Sequence, residues 1–194
     1  MNKKYIHVSF DRVEKFVPKT YENTCPDEDS SIPHICVAST IGAALNAVPT
    51  AGFVLSYMRE LNLPIILHVY YLTGSAVMEN DEVQKYVPDA DLTGETWLLK
   101  APESVQRKDY MVTDFRTKDY IDEYGHEVRC ICDMEIEKCE FQSNRENFLD
   151  CFAASGNRDA LNDMFEKHSY RTILANIGEE LIAEFAKDRE EERE

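Results

Sequence analysis

The hydrophobic period of this chain changes once, near Phe141, and that change limits the folds open to it. Before it, short apolar runs alternate with clusters of Pro, Gly, Asn and Asp, the pattern of strands joined by turns. The clearest run is 128–137, where Val128, Cys130, Cys132, Met134 and Ile136 alternate with Arg129, Ile131, Asp133, Glu135 and Glu137. Period two with one charged side predicts an antiparallel strand, apolar on one face and wet on the other. Further strands are predicted at 5–10, 34–39, 96–99 and 110–115. The run 63–72 is apolar on both faces, as in a central strand. Residues 40–48 read as a helix of small residues, capped by Ser39 or Thr40 and ended by Pro49.

After Phe141 the spacing turns helical. Ser143 and Glu146 stand in a capping box, in which each side chain satisfies the other's end of a new helix, and Phe148, Leu149 and Phe152 share its face. A second helix is predicted at 160–168. A third carries Ile173, Leu174, Ile177, Leu181, Ile182 and Phe185 before a charged tail at 187–194. The expectation is an α+β protein. A β-rich core domain of antiparallel or mixed sheet spans 1–141, and a helical extension, 142–194, caps it.

Charge narrows the partners. Twenty-one Lys and Arg face 37 Asp and Glu, a formal net charge of −16 on 194 residues. Such a surface cannot displace the counterions of a nucleic-acid backbone, and it is repelled by anionic membranes. The longest apolar run, 63–72, is about half of what a membrane span requires. The start carries no apolar run of signal-peptide length, and six cysteines in such a chain read as thiols rather than as a disulfide framework. These features together predict a cytoplasmic protein.

The order of certain residues points to chemistry. His7 lies in Ile6-His7-Val8-Ser9 on the first predicted strand. A second predicted strand runs through Cys36 and Val37 into Ser39, Thr40 and the small-residue helix. Glu95 follows Gly94 at the start of a later strand, two residues before Trp97, the one tryptophan. In this order the chain resembles the ADP-ribosyltransferase-like fold over about residues 4–115. The resemblance implies that His7 holds the ribose of NAD, with Ser9, Ser39 and Thr40 towards the nicotinamide. It implies that Glu95 orients the ribose and stabilises the positive charge that develops as nicotinamide leaves. An aromatic wall from Tyr70, Tyr71 or Trp97 would stack on the nicotinamide ring. The chain departs from the family in having Val37 and Ala38 where many members place an aromatic, and Gly94-Glu95-Thr96-Trp97 is not the Glu-x-Glu of arginine-specific transferases. The family includes inactive members, so the fold alone does not establish catalysis. The resemblance therefore implies NAD as cofactor, and either ADP-ribose transfer to a protein or other macromolecule or NAD hydrolysis as the reaction. Compactness and acidity suit a protein carried by a phage or mobile element.

Other chemistries have weaker support. His126, Cys130, Cys132, Cys139 and Cys151 fall close in sequence, but Cys-x-Cys on a strand is not a zinc knuckle. Core packing beside Val128 and Met134 is the expected role of Cys130 and Cys132, and no metal is expected. Cys36 is the one candidate for a cysteine nucleophile. No Gly-x-Ser-x-Gly elbow and no Walker loop is present. The acidic runs at 25–29, 79–82 and 188–194 read as solvated surface. They also leave open an alternative in another class, a non-catalytic acidic inhibitor that binds a basic partner.

Overall fold

The computed structural model describes residues 3–10, 12–20, 29, 31–48, 51–60, 65–87, 90–121, 125 and 127–139. The helical extension expected at 142–194, with His126 and Cys151, lies outside them. In chain order the elements are β1 (Tyr5–Ser9), β2 (Ile35–Val37), α1 (Ile41–Asn46), α2 (Ala51–Glu60), β3 (Ile65–Thr73), β4 (Val77–Met78), α3 (Asn80–Val83), α4 (Ala90–Thr93), β5 (Thr96–Leu98), β6 (Ser104–Ile121) and β7 (Glu127–Cys139). The fold is β-rich, with antiparallel sheets and a few short helices. One compact unit comprises Met1–Phe53 and Ile66–Cys139, and Val54–Ile65 belongs to a second. In that second unit α2 buries Leu55 and Met58, three residues apart and therefore on one side of the helix.

The main unit holds two sheets. Four strands run in the order β1-β3-β6-β7 and three in the order β2-β5-β4. β3 explains itself: the run from Ile65 to Tyr70 is buried at every residue, which the sequence Ile-Ile-Leu-His-Val-Tyr permits on both faces. β1 lies antiparallel to it, with His7 opposite Tyr70 and Ser9 opposite His68. The two sheets share a core in which Tyr5, Tyr70 and Leu72 from the larger meet Ile35, Val37 and Leu98 from the smaller, around Phe16. β1 and β2 are joined directly, because Ile6 and Ala38 exchange both backbone hydrogen bonds at 2.8 Å.

Helix α1 begins where the sequence places it. Thr40 is its cap, the hydroxyl accepting from the Ala43 N–H at 3.1 Å, and Ser39 is left exposed. The helix stops at Asn46, short of the expected 48. The Asn46 side chain is used elsewhere: its amide donates to the Ile131 carbonyl at 3.0 Å and accepts from the Ile131 N–H at 2.9 Å. α2, α3, α4 and β4 are elements that the sequence reading does not contain.

β6 and β7 form a long hairpin, paired from Asp109 with Cys139 to Ile121 with Glu127. Its register slips between Val112 and Asp114 and again between Arg116 and Thr117. The alternation along β7 consequently does not settle which residues are covered. Ile131, expected on the wet face, is buried where α1 meets the strand. Cys132, expected in the core, is exposed, and Cys130 is half-buried. Cross-strand pairs of Arg116 with Asp133 and of Arg129 with Asp119 decorate the ribbon. Exposed pairs of this kind add little stability.

Candidate functional site

The three-stranded sheet has two different faces. Its inner face carries Ile35, Val37 and Leu98 into the shared core. Its outer face carries Cys36 and Trp97, and His34 and Glu95, in the residues leading into β2 and β5, stand two positions before them on the same alternation. Pairing of Cys36 with Trp97 places both pairs on one surface. Val83, Val87 and Ala90, from the segment of α3 and α4, cover the Trp97 side of it.

Each polar side chain there has a defined setting. Glu95 follows Gly94, whose φ of +66° is a left-handed conformation that turns the chain out of α4 into β5. The Asn80 amide donates to the Glu95 carbonyl at 2.8 Å and to that of Ala90 at 2.6 Å, fixing the turn. The Glu95 carboxylate is buried, and its Oε1 accepts from the Trp97 indole N–H at 2.6 Å. Trp97 is wholly buried and stacks on the His34 imidazole, ring centres 3.8 Å apart and nearly parallel at 8°. His34, also fully buried, donates Nδ1–H to the Ile32 carbonyl at 2.7 Å. Cys36 is half-buried and carries a thiol. One donor atom from each of His34, Cys36 and Glu95 lies within 4.8 Å of the others.

His7 sits on the other side of β2. Its Nδ1–H donates to the Cys36 carbonyl at 2.9 Å, and its ring packs edge-on against Phe16, with centres 5.2 Å apart. Tyr70 lies 6.1 Å away, and the Tyr70 hydroxyl accepts from the Val13 N–H at 2.7 Å. This enclosure removes water from the imidazole and lowers its pKa. The Cys36 carbonyl opposes the shift, and the charge of Lys19 adds to it.

The strands of the residues singled out from the sequence are neighbours, but the side chains of His7 and Glu95 lie on opposite sides of β2. His7 and Glu95 both approach Cys36, the former through its carbonyl and the latter near its thiol. Ser39 and Thr40 are exposed at the end of β2, with the Thr40 hydroxyl engaged as a helix cap. Ser9 is half-buried opposite His68. The aromatic candidates do not form a wall. Tyr70 belongs to the core between the sheets, Tyr71 points to the opposite face of β3, and Trp97 is packed under His34. The sequence reading missed His34 and Asn80; the His-x-Cys and Glu-x-Trp spacings each signal that their own two residues share a face, but not that the two pairs meet. No helix among the described residues is long and apolar enough to cross a membrane.

No protein-family model matches this chain, and no curated protein or solved structure matches it.

Proposed function

We propose that this chain is an ADP-ribosyltransferase-like protein that binds NAD and transfers ADP-ribose to a macromolecular target. The adjacency of three strands supports the reading. β1 meets β2 at the Ile6–Ala38 bridge, and β2 pairs with β5 through Cys36 and Trp97. The strand of His7, the turn of Ser39 and Thr40 and the strand led by Glu95 are therefore consecutive neighbours, although almost ninety residues separate the first from the last.

In this reading His7, with Nδ1–H committed to a backbone carbonyl, offers Nε2 as acceptor to a ribose hydroxyl. Ser39, exposed beyond the end of β2, contacts the nicotinamide amide. The bond from ribose C1′ to the nicotinamide nitrogen breaks, its electron pair leaves with the nicotinamide, and positive charge spreads over the ribose. A carboxylate fixed by a neighbouring donor stabilises that charge without reorganising, the part given to Glu95 with Trp97 as its holder. A nucleophile of the target then adds at C1′ and loses its proton to solvent.

Calorimetric titration with NAD tests the proposal. The native chain should bind, His7→Ala should lose the heat, and Glu95→Gln should bind without releasing nicotinamide. Glutamine keeps an oxygen for the Trp97 N–H, so that variant removes charge while retaining the contact. Absence of heat at millimolar NAD overturns the proposal and favours the non-catalytic acidic protein instead.

A further inference from the structure

We propose that His34, Cys36 and Glu95 form a zinc site, an assignment that does not rest on nucleotide binding and competes with it for Glu95, since a carboxylate neutralised by a dication has no charge left for the ribose. Cys36 lies in β2, His34 and Glu95 come from the residues that lead into β2 and β5, and one donor atom of each lies within 4.8 Å of the other two. With Nδ1–H given to Ile32, the imidazole's lone pair is on Nε2. With Oε1 held by Trp97, Glu95 turns Oε2 to the cation. Cys36 supplies its sulfur as thiolate.

The donor set selects the metal. A thiolate rejects magnesium and calcium, a carboxylate is a poor partner for copper(I), and a mixed nitrogen, sulfur and oxygen set suits zinc. Charge also balances: one thiolate and one carboxylate neutralise a dication in a buried setting, where an uncompensated charge is costly. The surroundings hold the ligands as outer-shell partners do. Ile32 fixes the tautomer of His34, and Trp97 orients the carboxylate. Trp97 also presents its face to an imidazole that gains positive character on binding metal. Three protein ligands leave the fourth tetrahedral position to water, on the side where half-buried Cys36 reaches the surface.

The same geometry argues against a cysteine nucleophile with a His–Glu relay. A relay needs thiol and acid at opposite ring nitrogens. Here the Ile32 carbonyl occupies one nitrogen, and thiol and carboxylate converge.

The experiment uses the full chain, purified under reducing conditions, stripped with chelator and titrated with cobalt(II). One equivalent should bind, giving a thiolate-to-cobalt charge-transfer band and the intense visible bands of a tetrahedral ion, both erased by zinc. Cys36→Ser should abolish the charge-transfer band. Trp97→Phe should weaken binding roughly 10–100-fold, the usual effect of losing an outer-shell partner. Because a core variant can fail to fold, X-ray absorption of the native zinc-loaded chain gives a second readout. It should show a single sulfur at about 2.3 Å with nitrogen and oxygen at about 2.0 Å. Two sulfurs would place the metal at the Cys130–Cys132 pair and overturn the proposal. So would a charge-transfer band that survives in Cys36→Ser, or failure to bind a stoichiometric metal.

Discussion

His68 Nδ1 and Asp109 Oδ1 lie 2.6 Å apart on the adjacent strands β3 and β6, with both side chains almost wholly removed from water. Arg107 reaches the same carboxylate oxygen at 3.2 Å. His68 Nε2 has no hydrogen-bond partner among the described residues, so Asp109 is what makes this imidazole tolerable inside the sheet. Replacing Asp109 with Ala strands a buried donor, which costs about 1–3 kcal/mol. Urea unfolding should show that loss, and Asp109→Asn, which keeps an acceptor, should lose less. Equal stability of Asp109→Ala and the native chain would show that the contact contributes nothing.

Two glycines should respond in opposite directions. A Cβ on Gly52 would stand 2.0 Å from the Arg129 carbonyl oxygen, a backbone atom that cannot give way cheaply. Gly52→Ala should therefore destabilise by about 1–3 kcal/mol, as overpacking does. A Cβ on Gly42, inside α1, meets nothing within 4 Å. Gly42→Ala should stabilise by roughly 0.5–1 kcal/mol through lower backbone entropy in the unfolded chain. Thermal melts of both variants read the contrast.

The cap of α1 is a third case. Thr40→Ala removes the acceptor for the Ala43 N–H and should cost about 1 kcal/mol, whereas Thr40→Ser should be nearly neutral. Denaturant midpoints decide it. A loss shared by both variants would point to the threonine methyl rather than to its hydroxyl.

His7 should make stability depend on pH. Burial holds its folded-state pKa below the ordinary histidine value of 6.5, so the unfolded chain takes up the proton first. Its contribution is fully present above about pH 6.5 and is lost as pH falls from there through the lower folded value. Unfolding free energies between pH 8 and 5 should fall more steeply for the native chain than for His7→Asn. Parallel profiles would mean that the ring titrates alike in the folded and unfolded chain, and stability that rises as pH falls would mean that the fold favours the protonated ring.

How much of this the sequence reveals differs by element. β3 is legible because its apolar run states its own burial. Thr40 is legible because capping is local chemistry. β7 is not, since two register slips and the docking of α1 decide that Ile131 and not Cys132 is covered. The outer face of the small sheet is harder still. Its His-x-Cys and Glu-x-Trp patterns lie about sixty residues apart, and nothing near either one specifies that Cys36 will pair with Trp97. Long-range pairing is the part of a fold that periodicity leaves undetermined.

The Asn46 side chain has a further effect where it grips Ile131. Among the described residues β7 ends its sheet, and an outermost strand offers unpaired backbone groups as a template for another chain. By bonding both the N–H and the carbonyl of Ile131, Asn46 imitates the missing neighbour for one residue, and the close approach of Gly52 to Arg129 screens the residue two positions before it. Both contacts cover backbone groups that an outermost strand would otherwise offer to a further strand.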